Sequence, residues 1–171
     1  VVGTKELVGV TPPGIHRDAS AGRPLLLDDG LMELRVVQVR GEDVECDVVR
    51  GGRLTERRGV ATLGKSPSQP FPDERTKQSL AFAVEHDADF VALSSINGAE
   101  NVAVARELLK EGDPDPFIIS KIERPEALEN FDSILAASDA IMVARGDMGV
   151  EVDLSRIPVI QKDLIVRYIL N

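Results

Sequence analysis

Apolar residues recur in two rhythms along the 171-residue chain, and the rhythm changes near residue 70. Before that point they form short runs separated by turn residues. Pro24–Leu27 is an apolar run, and Asp28-Asp29-Gly30 is turn chemistry, since glycine takes positive φ without steric cost. Leu31–Val39 alternates loosely, Gly41-Glu42-Asp43 is a second turn, and Val44–Val49 alternates better. Gly51-Gly52 marks a third turn before Arg53–Val60. Short strands at this spacing predict a small antiparallel sheet or barrel. Cys46 alternates inward with Val44 and Val48, which predicts a buried structural thiol.

Gly64–Pro72 is polar and proline-rich, which predicts a linker or crossover. Beyond it, Asp73 is placed to cap a helix whose Leu80, Ala83 and Val84 share a face. Asp89–Ser94 reads as a buried strand, and Asn97 as the cap of a helix with Val102, Ala105 and Leu109 inward. Phe117–Lys121 is the next strand. Pro125 suits a first helical turn and opens a helix holding Leu128, Phe131 and Leu135. Asp139–Ala144 is a further strand, and Ile157–Leu170 a last helix. The alternation predicts an α/β segment of three parallel strands, each buried on both faces. A closed barrel of parallel strands needs about eight. The expected architecture is therefore part of a TIM-type (β/α) barrel, residues 71–171, preceded by a small antiparallel β domain, residues 1–70.

Composition narrows the classes. Apolar residues make up 43% and charged residues 29%, which predicts a folded globular chain. The net charge of −9 argues against non-specific binding to nucleic acid or to anionic membranes. No apolar stretch is long enough to span a bilayer, and the N-terminus lacks a signal-peptide pattern. Cys46 is the only cysteine, which rules out an internal disulfide and fits a cytoplasmic location. The chain opens on Val1-Val2 without a methionine, so an excised segment or processed product is expected.

The candidate chemistry lies in two stretches, Ile118–Glu126 and Ile141–Glu151. In each, an apolar run ends in charges that a core does not absorb: Lys121 and Glu123 in one, Arg145, Gly146 and Asp147 in the other. Charges where parallel strands stop mark the C-terminal rim of an α/β sheet. A lysine with two carboxylates suits a divalent metal and an anionic, oxygen-rich substrate. Taken singly, Lys-x-Glu is an ordinary surface ion pair and Arg-Gly-Asp an ordinary turn. Lys121 and Glu123 are two residues apart and share one face of a strand. Asp28-Asp29-Gly30 reads as a hairpin turn, not a metal site. His16, His86, Glu85 and Asp87 read as surface residues.

At these residues the chain resembles the pyruvate kinase family. Ile119-Ser120-Lys121-Ile122-Glu123 followed by Pro125-Glu126-Ala127-Leu128 is similar to that family's active-site lysine signature. Ala144-Arg145-Gly146-Asp147-Met148-Gly149-Val150-Glu151 is similar to its second metal-site signature. Leu27–Leu31, Gly51–Leu54, Asp89–Ser94 and Ile157–Lys162 add to the match, which runs from about residue 24 to the C-terminus. Two local departures stand out. Ala61-Thr62-Leu63-Gly64 replaces the usual Asn-Leu-Pro-Gly, and Ser95-Ile96-Asn97 replaces the usual Phe-Val-Arg, which removes a rim cation.

The resemblance implies that residues 1–70 correspond to most of a β lid and residues 71–171 to barrel strands four to six. It implies that the other barrel strands and a C-terminal regulatory domain lie outside this chain. The implied activity is phosphoryl transfer from phosphoenolpyruvate to ADP, giving pyruvate and ATP in glycolysis. By the same resemblance Lys121 steadies phosphoryl and enolate oxygens, and Glu123 and Asp147 share Mg²⁺ or Mn²⁺. Gly146 and Asp147 offer backbone N–H groups to a substrate carboxylate just before a turn, and Arg145 positions that loop. The family's K⁺ ligands fall outside this chain. Two alternatives stay open: a catalytically silent metabolite-binding or interaction module, and a Mg²⁺-dependent phosphoenolpyruvate or pyruvate lyase. Open parallel edges imply a homo-oligomer or a longer chain.

Overall fold

A computed structural model of the chain describes residues 3–11, 14–62, 71–110 and 115–170. Its contacts fall into two compact units, Val1–Gln69 and Pro70–Asn171. Most of the linker expected at 64–72 lies outside the described residues.

The first unit holds a one-turn helix α1 (Ile15–Asp18) and strands β1 (Pro24–Leu27), β2 (Met32–Arg40), β3 (Asp43–Arg50) and β4 (Val60–Thr62). They pair antiparallel in the order β3-β2-β1-β4. Among the described residues this is an open sheet with β3 and β4 at its edges, not a closed barrel. The β1–β2 hairpin turns on Asp28, Asp29 and Gly30, whose φ angles of 51°, 52° and 82° all lie in the left-handed region. The glycine takes that conformation freely and the two aspartates tolerate it, so the expected turn is present. Ala19, Leu25, Leu27, Met32 and Val36 form a small core.

Two expectations fail in this unit. Of the last expected strand, Arg53–Val60, only Val60 pairs, at the start of a strand that runs on to Thr62, because the chain before it is irregular. Arg57 takes φ 62°, which interrupts an extended ladder, and the Gly59 carbonyl accepts from Asp28 N at 3.0 Å. Cys46 and Val44 do pack partly buried against the core, but Val48 is 67% exposed. β2 carries register shifts at Glu33/Leu34 and Val36/Gln38, and β3 runs on past the small core.

The second unit is helical and parallel. It contains α2 (Glu74–Glu85), β5 (Phe90–Leu93), α3 (Ala99–Leu109), β6 (Phe117–Ile122), α4 (Pro125–Glu129), α5 (Phe131–Ala137), β7 (Ala140–Val143), α6 (Arg145–Glu151), a 3₁₀ turn (Leu154–Arg156) and α7 (Ile157–Leu170). Strands β5, β6 and β7 are parallel in that order, so their C-terminal ends share one edge. Asp73 caps α2 as expected, accepting from Thr76 N at 2.7 Å and Thr76 Oγ1 at 2.6 Å. Leu80, Val102, Ala105 and Leu109 are buried, as their helical spacing predicted.

The expected burial on both faces is not reached: β6 is fully buried on one face, while Ile119 and Lys121 on the other are half-buried. Ile118, Ser120 and Ile122 are fully buried, and Ser120 Oγ shares a 2.6 Å hydrogen bond with Ser138 Oγ. β5 and β7 are edges of the described sheet, and Phe90 (64%) and Met142 (42%) are exposed. Three helical readings also change. α3 starts at Ala99 behind Gly98, because Asn101 Oδ1 reaches back to Asn97 N at 2.8 Å and Gly98 N at 3.3 Å. The helix expected from Pro125 breaks at Asn130, whose Nδ2 donates to the Asn97 carbonyl at 2.8 Å. Its buried residues are Ala127, Phe131 and Ile134, while Leu128 and Leu135 are only partly buried. Finally, residues 145–151 form a helix with Met148 fully buried, where the sequence suggested a turn.

Candidate active site

Parallel pairing brings three strand ends together. Beyond β5 stand Ser94 and Ser95, at the end of β6 Lys121 and Glu123, and beyond β7 the first turn of α6 with Gly146 and Asp147. Lys121 is the hub. Its Nζ lies 2.9 Å from Glu123 Oε2, 3.2 Å from Asp147 Oδ2 and 2.7 Å from Ser94 Oγ. Two carboxylates thus converge on one ammonium. Burial pulls Lys121 down, but hydrogen bonds and charge from Glu123 and Asp147 outweigh it, holding its pKa above the ordinary 10.5. The lysine stays charged across the physiological range.

Glu123 is almost buried, and its two oxygens have different surroundings. Oε1 accepts from Ser95 N at 2.5 Å and from Ser95 Oγ at 3.3 Å. Oε2 forms the 2.9 Å ion pair with Lys121 Nζ. Ser95 makes the first contact possible by taking φ 58°, a costly conformation for a side chain that carries a Cβ. The segment that departs from the family pattern therefore clamps Glu123, and its Ile96 is fully buried in the core. Nothing in the local sequence announces either role, because a serine before an apolar residue is a common string.

Asp147 is 60% exposed at its side chain and projects from the first turn of α6. A Cβ built on Gly146 meets nothing within 4 Å, so open space lies beside this backbone. Gly149 differs, because its Cβ would come 2.6 Å from Leu154 Cδ2. Arg145 is exposed and, among the described residues, makes no ion pair. It lines an open cleft with Val143, Gly146, Ile157 and Gln161.

Two residues without an expected role lie behind this rim. Arg124 is buried, with Nη1 3.2 Å from Glu151 Oε1 and Nε 3.5 Å from Glu126 Oε2. Burial pushes the Glu151 carboxyl up from its ordinary value, Glu126 and Glu123 add to the rise, and Arg124 opposes it. Both residues stand inside the quoted motifs, yet only the fold shows that they meet.

Among the described residues no group of three or more His, Cys, Asp or Glu is placed to hold a metal. The donor set is two carboxylates, with one oxygen of each on the same ammonium and therefore close to the other. Mg²⁺ retains several waters and is commonly held by one or two carboxylates together with substrate oxygens, so the set fits such an ion. No helix among the described residues is long and apolar enough to cross a membrane.

A lysine ammonium between two carboxylates at the C-terminal edge of a parallel sheet, flanked by helices, defines an α/β protein with a candidate site at its strand ends. Comparison with known proteins takes this further. Residues 1–170 match the family model described as "Pyruvate kinase, barrel domain". A pyruvate kinase of Clostridium perfringens is 38% identical over 166 residues, covering 96% of this chain and 35% of its own length. One from Corynebacterium efficiens is 40% identical over 162 residues (95% and 34%), and one from Staphylococcus aureus 38% over 167 (96% and 28%). The chain belongs to the pyruvate kinase family. It spans about a third of the length of these relatives.

Proposed function

We propose that the chain carries the chemical core of a pyruvate kinase, moving the phosphoryl group of phosphoenolpyruvate to ADP to give pyruvate and ATP. The observation behind this reading is the Lys121 ammonium held between Glu123 and Asp147 at adjacent strand ends. In such a transfer, negative charge spreads over the phosphoryl oxygens and gathers on the enolate left behind. Catalysis then rests on positioning and charge stabilisation. Lys121, kept protonated by its carboxylates, supplies a fixed positive charge to those oxygens. Glu123 and Asp147 would hold Mg²⁺ or Mn²⁺, which supplies Lewis-acid charge stabilisation when bound. The open space beside Gly146 leaves room for a substrate carboxylate near the backbone N–H groups of Gly146 and Asp147. Arg145, exposed beside them, is assigned to positioning this turn.

On this reading the first unit is lid-like and the second a segment of a catalytic barrel. The working protein is cytoplasmic and is completed by a longer chain or a homo-oligomer. K⁺ would bind to parts outside this chain.

The test is a lactate-dehydrogenase-coupled assay with phosphoenolpyruvate, ADP and Mg²⁺, comparing the chain with Lys121→Met. Phosphoryl transfer that falls about 10²- to 10³-fold in the variant supports the reading. Inactivity of both proteins overturns it for this chain and favours the silent module. Metal-dependent enolisation of pyruvate without ATP formation favours the lyase.

A further inference from the structure

Glu123 and Asp147 come from different elements, so their spacing depends on how α6 sits against the end of β6. Asp147 lies in the first turn of α6, and the helix is only seven residues long. A helix that short has little stability of its own. Two side chains fasten it: Met148, fully buried, and Glu151, its last residue, paired at 3.2 Å with Arg124. Arg124 directly follows Glu123 in the chain. Both partners of the pair are shielded, with side chains 9% and 14% exposed, so water competes weakly for either charge. Glu126 bears on the same guanidinium from α4 and does not belong to α6.

We propose that Arg124 and Glu151 are positioning residues, a strut that sets the distance between Glu123 and Asp147 and so the affinity for a divalent cation. The inference rests on the reading of those two carboxylates as a metal site. Neither Arg124 nor Glu151 touches the cation on this account. They act through the chain on either side, as groups behind metal ligands commonly do.

Two readouts on the same 171-residue protein separate the strut from the metal site. Amide hydrogen exchange at Met148–Glu151 reads the anchoring of α6 without metal. Titration with Mn²⁺, followed by the free-ion EPR signal, reads the consequence. Glu151→Gln is expected to speed exchange in α6 at least ten-fold and to weaken Mn²⁺ binding by about 10- to 100-fold. Glu126→Gln, the control on the same arginine, is expected to change neither. Unchanged α6 exchange in Glu151→Gln overturns the strut whatever the cation does. Faster exchange with unchanged Mn²⁺ affinity, while Glu123→Gln abolishes binding, overturns the positioning role and leaves the metal site standing. Absence of Mn²⁺ binding by the unaltered protein overturns both. If circular dichroism shows Glu151→Gln unfolded, Glu151→Asp is read instead. It keeps the charge on a shorter arm, and normal α6 exchange together with normal Mn²⁺ affinity there overturns the proposal.

Discussion

The two units differ in how deeply they hold charge: among the described residues, only the parallel unit has ion pairs with both side chains well shielded. In the antiparallel unit, Arg40 and Glu45 pair at 3.6 Å with side chains 70% and 54% exposed. In the parallel unit, Lys121 and Glu123 pair at 2.9 Å with side chains 20% and 8% exposed. The residue types are alike, but the second pair sits on a core that includes fully buried Ile118, Ile122, Phe131, Ile134 and Met148. A small core beneath a two-faced sheet leaves its charges in water, where they contribute little. A larger core lets strand ends carry shielded charges, which are costly to strand unpaired and strong when satisfied. The difference teaches that a site is identified less by which charges are present than by what supports them.

Substitutions that sharpen this contrast fall in a clear order. Phe131→Ala has the largest effect, because the ring is fully buried in the core of the second unit and also carries the Arg167 guanidinium 4.7 Å from its centroid. A loss of about 3–5 kcal/mol is expected. Tyr168, the one tyrosine of the chain, lies in α7, so its fluorescence in a urea titration reports this unit directly.

Asp73→Ala comes next, with an expected loss of about 1 kcal/mol for the α2 cap, readable in the same titration. The side-chain and backbone hydrogen bonds from Thr76 lower the Asp73 pKa below its ordinary 3.8. The cap therefore contributes fully above that unfolded value and is lost as pH falls through the lower folded one. The gap between the unaltered protein and Asp73→Ala should close only in strong acid. A gap already closed at pH 6 would contradict this assignment.

Arg40→Ala should do least, less than about 0.5 kcal/mol, since both partners are exposed. A thermal melt by circular dichroism checks it. A loss as large as that of Asp73→Ala would mean that the exposed pair matters more than its geometry allows.

Much of this protein follows from the sequence alone, because the relevant physics is local. Alternation marked β2 and β3, short apolar runs marked β1 and the three parallel strands, a helical period placed Leu80, Val102, Ala105 and Leu109 inward, and Asp73 announced its own cap. Lys121 and Glu123 were legible because strand alternation puts residues two apart on one face. What the sequence left undecided depends on partners distant along the chain. Arg53–Gly59 contains strand-like residues, yet Arg57 turns left-handed and only Val60–Thr62 joins the ladder. Residues 145–151 resemble a turn but form a helix anchored by Met148 in the core. Ser95 binds Glu123 across 28 residues, and Arg124 meets Glu151 across 27, so no short-range pattern signals either contact. Residue types and their periods determined which groups stand at the strand ends. Parallel pairing, which brings three separate strand ends to one edge, decided which of those groups touch.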